Sequence, residues 1–95
     1  MDDISGRFLF KEKQIRLLLA LRDESKEWYI SDLAKKNDVT YIHATKFVNK
    51  CESLGLLSVE NHGRVKKLLL TEKGKNVAES ISNILNSINV EKKEE

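Results

Sequence analysis

The sequence is poor in residues that staple, break or cradle a fold: one cysteine, no proline, four glycines and 6% aromatic residues in 95 positions. The single thiol, Cys51, excludes an intrachain disulfide. With only two histidines, His43 and His62, far apart in the chain, a tetrahedral structural zinc site lacks its ligands. The glycines at 6, 55, 63 and 74 are too scattered for a phosphate-cradling loop, no Ser, His and Asp set falls together, and the paired acids Glu94-Glu95 lie in a charged tail. The reading is therefore non-enzymatic, with no catalytic residue, metal or cofactor expected. No run approaches the roughly 18 apolar residues of a membrane span. The chain opens Met1-Asp2-Asp3, without the basic and apolar segments of a targeting signal, so a cytoplasmic protein with no membrane partner is expected.

What is present fits one small folded domain. Hydrophobic residues make up 40% and charged residues 34%, with apolar periodicity over most of the length and no internal repeat. Seventeen Lys and Arg against fifteen Asp and Glu leave a net charge of only +2, so a polyanionic partner is not demanded by the total. The charge is unevenly placed. Lys35 to Lys50 holds four lysines and one acid, and Glu60 to Lys67 three bases and one acid, whereas Arg22 to Asp32 holds four acids and two bases.

Apolar spacing predicts a first helix over 11–24, with Ile15, Leu18 and Leu19 on one face and Leu17, Ala20 and Leu21 on another. Such wrap-around hydrophobicity suits a central helix, one that also meets a second chain, or both. A lead-in from Ile4 precedes it, and its Phe8, Leu9 and Phe10 are expected to pack across a subunit interface or along the last helix. Trp28-Tyr29-Ile30 reads as a strand stub, Ser31 as the N-cap of a short helix over 31–37, and Thr40 as the N-cap of a longer one over 41–54 that Gly55 stops. Ala44, Phe47, Val48 and Cys51 form the buried stripe of that longer helix, leaving a polar, basic outer surface. Residues 57–70 read as a hairpin turning through Asn61, His62 and Gly63, with Leu57, Val59, Leu68 and Leu70 inward and Arg64, Lys66 and Lys67 wet. Thr71 caps a last helix over 72–89, and residues 90–95 are expected to fray.

This order of elements is that of a mainly α (α+β) winged helix-turn-helix, with a two-stranded wing and a C-terminal dimerisation helix. The run VTYIHATKFVNKCESLGLL, Val39 to Leu57, resembles the recognition-helix pattern V-S-x-x-T-V-T-R-L-V-x-x-L-E-x-x-G-L-V of the MarR-type (multiple antibiotic resistance regulator) winged-helix families. Val39, Thr45, Val48, Glu52, Gly55 and Leu56 are identical to it, and Thr40, Lys46 and Leu57 are close substitutes. ISDLAKKNDV is similar to the family's first helix-turn-helix segment and LLLTEKGKNV to its L-T-x-x-G junction, so the resemblance spans about residues 15 to 78. Small winged-helix proteins of archaea, their plasmids and viruses are equally similar. The pattern is broken at His43, where Thr is usual, and at Ala44, which replaces Val.

The resemblance implies contact with double-stranded DNA by Thr40, Tyr41, Ile42, His43, Thr45 and Lys46 in the major groove, and by Arg64 from the wing. Lys50, Lys66 and Lys67 join these as phosphate contacts on charge and exposure alone. His43 is equally a surface residue, Ile42 equally a packing residue, and Cys51 a buried inert thiol. Val77, Ile81, Ile84 and Ile88, spaced four, three and four, form a seam with Leu85 beside it; with Phe8 and Phe10 it suits a homodimer, worth on the order of 10 kcal/mol before entropic costs at about 1.5 kcal/mol per side chain. The expected function is a homodimeric, sequence-specific transcriptional regulator, a repressor on a pseudo-palindrome. The chain lacks the additional helices of longer MarR-type relatives, which argues against a small-molecule effector. A protein-interaction module or a nonspecific architectural DNA binder are the alternatives.

Overall fold

The structure, a computed structural model, describes the backbone of residues 5–93 and the surroundings of side chains 7–88. Ile4 and the last two residues of the expected frayed tail lie outside the described residues. A 3-10 turn, Ser5–Phe10, leads into α1 (Glu12–Ala20). Then come β1 (Trp28–Tyr29), α2 (Ile30–Lys36), α3 (Tyr41–Ser53), β2 (Leu57–His62), β3 (Val65–Leu70) and α4 (Glu72–Lys93). No helix among the described residues is long and apolar enough to cross a membrane.

Local chemistry sets the helix ends. Helix α1 stops short of the expected 24 because Asp23 turns the chain: its carboxylate accepts the Ser25 N–H at 3.0 Å, and its carbonyl accepts the Trp28 indole N–H at 3.0 Å. Helix α2 starts one residue before the expected Ser31 cap. Tyr29 is the N-cap, held extended (φ −121°, ψ 160°) by its antiparallel pairing with Lys67, and no side-chain oxygen caps it. Asp38 makes the sharp turn before α3 with φ 57°. Thr40 caps α3 as its sequence suggests, its Oγ1 accepting the His43 N–H at 3.0 Å. Gly55 (φ 79°) ends α3 in a Schellman turn, with Leu56 N–H donating to Cys51 O at 2.8 Å and Gly55 N–H to Glu52 O at 3.0 Å.

The hairpin is longer than its sequence suggests. Strand β2 runs to His62, opposite Val65, so the turn is only Gly63-Arg64, with Gly63 at φ 66°. Arg64 therefore sits at the wing tip. The stub β1 pairs with the other side of β3, making a three-stranded antiparallel sheet of order β1-β3-β2. Helix α4 continues through 93, past the expected end at 89.

One core joins all layers: Leu17 and Leu18 of α1, Leu33 of α2, Phe47, Val48 and Cys51 of α3, Leu57 and Leu68 of the sheet and Ala78 of α4 are buried. Because the inward stripe of α3 is filled by these contacts, its opposite side is forced outward, and the sheet fixes the wing beside it.

Candidate nucleic-acid interface

The first turn of α3 presents an unusual surface for an amphipathic helix: Tyr41 is 57% and Ile42 67% exposed. A fold has no internal reason to leave two large side chains wet at neighbouring positions. Lys46, Asn49 and Lys50 continue the exposed side, and Ile42, Lys46 and Lys50 follow one another at intervals of four, along one face. No acid lies in the first turn of this helix.

The wing tip closes on the same region. Tyr29, Ser31, Tyr41, Arg64, Val65 and Lys66 line one open concavity of about 210 Å³, so the start of α3 and the cationic tip of the hairpin share a wall. Sequence reasoning missed Tyr29 and Ser31 here, because only the pairing of β1 with β3 carries them to this cleft. Arg64 and Lys66 are exposed.

Three expected contact residues are placed differently. The Lys67 side chain is only 23% exposed and its Nζ lies 3.3 Å from Glu27 Oε2, so its charge is already answered within the domain. That glutamate also accepts the Tyr29 hydroxyl at 2.9 Å; this bond, and then Lys67, hold its carboxyl below the ordinary range, while Glu27 pushes the Tyr29 hydroxyl up. The Thr45 Oγ1 is shut away from solvent without a hydrogen-bond partner, so in this conformation it offers nothing to an outside ligand. His43 is half-buried and its Nε2 lies 3.0 Å from Gln14 Oε1 of α1, which gives the ring a tertiary anchor instead of free rotation at the surface. Cys51 is buried and its thiol is pushed up to about 12 by desolvation, as suits an unreactive core residue.

The seam expected of α4 divides in two. Val77 and Ile81 are half-buried against the chain's own core, and half-buried Phe8 meets Phe47 of α3 with ring centroids 6.0 Å apart, so part of each of these three is used within the domain. Phe10, Ile84 and Ile88 are 75%, 58% and 63% exposed, with Leu85 half-buried between them. Leu9, Phe10, Val77, Ile81 and Ile84 line an apolar groove of about 320 Å³ there.

No family model matches the chain. A protein of Archaeoglobus fulgidus described as uncharacterized is 31% identical over 88 residues, which cover 90% of this chain and 93% of that one. Among solved structures, the crystal structure of a protein from the same organism has a TM-score of 0.79 at 28% identity, covering 92% of this chain and 97% of that one. MepR, a transcription regulator of the Staphylococcus aureus multidrug efflux pump MepA, has a TM-score of 0.77 at 19% identity, covering 88% of this chain and 64% of MepR. NadR in complex with 4-hydroxyphenylacetate has a TM-score of 0.79 at 21% identity, covering 96% of this chain and 66% of NadR. The chain thus spans slightly less than two thirds of these two proteins, and the likeness to them is one of fold: the MarR-type winged helix.

Proposed function

We propose that this chain, which belongs to the same family as the Archaeoglobus fulgidus relative and has the MarR-type winged-helix fold, is a homodimeric, sequence-specific regulator that binds duplex DNA and represses by occupying a pseudo-palindromic site. The observation that carries this reading is the shared cleft between Tyr41 of α3 and Arg64 and Lys66 of the wing. A helix about 12 Å across fills a major groove. With α3 in that position, Tyr41 and Ile42 face base edges, Ile42 suiting a thymine methyl, while Lys46 and Lys50 lie along the phosphates. The wing then reaches the flanking minor groove, where an arginine is attracted by the negative potential of a narrow groove. That MepR is a transcription regulator supports the same reading.

One recognition helix touches too few base pairs for high specificity, and two-fold dimers solve this by reading half-sites about 10 bp apart. The exposed Phe10, Ile84 and Ile88 and the groove beside them supply the apolar surface for a second copy. A net charge of +2 gives little nonspecific attraction, which favours a site-specific binder over an architectural one.

A mobility-shift titration against genomic fragments at two salt concentrations tests the proposal. Salt-sensitive binding with a preferred fragment is the expected result. Salt-sensitive binding without preference supports the architectural alternative, and no binding at low salt favours a protein-interaction module.

A further inference from the structure

We propose that Gln14 is a positioning residue that fixes the tautomer of His43 and thereby decides which base edge this histidine reads; the inference rests on the DNA-binding reading above. His43 stands in the first turn of α3, two residues after Tyr41, with its backbone N–H held by Thr40. Its ring reaches back to α1, where Nε2 meets Gln14 Oε1 at 3.0 Å across 29 residues of sequence. Among the described residues this is the one hydrogen bond between side chains that ties α3 to another element.

The chemistry of the contact is directional. An amide oxygen only accepts, so a neutral imidazole facing it must carry its proton on Nε2. The second nitrogen, Nδ1, then holds a lone pair and can only accept. The two ring nitrogens point in divergent directions, so a ring with Nε2 turned to α1 turns Nδ1 away from it. Among the described residues Nδ1 has no protein partner, and it is not one of the buried atoms left without one, so solvent reaches it. A fixed acceptor at this turn of a recognition helix meets the exocyclic amino group of adenine or cytosine favourably and faces only acceptors on guanine, at N7 and O6. The opposite tautomer would reverse that choice. A half-buried anchor on α1 thus sets the polarity of one position on the reading surface, in the manner of the groups that orient histidines at metal and catalytic sites.

Two measurements at pH 8 test this. Nitrogen-15 NMR of the free protein is expected to show the His43 ring protonated on Nε2, with the two tautomers mixing in Gln14→Leu and the Nε2–H form retained in Gln14→Glu, whose carboxylate accepts the same proton. Selection from a randomised duplex pool is expected to show a roughly tenfold preference for adenine or cytosine at one position of each half-site. That preference should be lost in His43→Ala and in Gln14→Leu, lost no further in the double variant, and kept in Gln14→Glu. Should the leucine variant fail to fold, Gln14→Ala takes its place. A ring protonated on Nδ1 in the wild type, or a base preference unmoved by Gln14→Leu, overturns the proposal while leaving DNA binding intact. Absence of duplex binding by every variant at low salt removes the regulator reading and this proposal together.

Discussion

Gly74, in the first turn of α4, lies against the backbone of Leu56: a Cβ built on it would come 2.1 Å from the Leu56 carbonyl oxygen and 3.0 Å from its carbonyl carbon. The same oxygen accepts the Thr71 N–H at 3.0 Å, and the Thr71 hydroxyl both donates to Gly55 O at 2.6 Å and accepts the Gly74 N–H at 3.0 Å. The end of α3, the last strand and the start of α4 are therefore joined at one point, which gives the Leu-Thr-x-x-Gly sequence its physical meaning. Alanine at this site gains about 1 kcal/mol of helix propensity but must push backbone away from backbone. Gly74→Ala is expected to lower stability by about 2 kcal/mol or more in a denaturant titration. A neutral or stabilising substitution would show that the joint yields easily.

Glu27 pairs with Lys67, Oε2 lying 3.3 Å from Nζ. Replacing it by glutamine releases that charge and removes a negative one near the wing, so Glu27→Gln should tighten DNA binding roughly two- to threefold at low salt, with the gain shrinking as salt rises. Weaker binding instead would mean that the ion pair shapes the wing. The same contact leaves a pH signature. Because the carboxyl is depressed by the Tyr29 hydrogen bond and by Lys67, its contribution to stability is present above the ordinary glutamate value of 4.5 and is lost as pH falls through its lower folded value. In Glu27→Gln the acid limb of the stability profile should be flatter.

Local features of this fold are legible in the sequence, and the reason is that their causes are local. Thr40 at the head of α3, Gly55 at its end and Gly63 in the hairpin turn each act through their own neighbours. Residues whose partners are distant in sequence are less legible. Ser31 has the chemistry of an N-cap, yet the strand pairing of Tyr29 with Lys67 starts the helix earlier. Lys67 has the charge of a phosphate contact, yet Glu27, 40 residues away, takes it. Phe8 has the hydrophobicity of an interface residue, yet its ring also packs against Phe47 within the domain. Lys46 and Arg64 could be named from the motif, and Lys50 from its charge and exposure; the anchor beneath His43 could not, because nothing near residue 43 marks Gln14.

The two halves of the α4 seam should separate in mutation. Ile84 and Ile88 are 58% and 63% exposed, so acidic replacements there disturb little of the domain itself. Ile84→Asp combined with Ile88→Asp is expected to shift sedimentation from dimer to monomer with a melting temperature within a few degrees of wild type. Retention of the dimer would place its interface elsewhere.

In the proposed complex the exposed face of α3 and the wing tip act as one surface on a double helix. The most direct measurement is the affinity of Lys46→Ala combined with Arg64→Ala for a preferred duplex, followed across salt concentrations beside the wild type. The variant should bind at least roughly tenfold more weakly, with a salt slope shallower by about two and its dimerisation unchanged. Equal affinity and an equal slope in the two proteins would contradict the account.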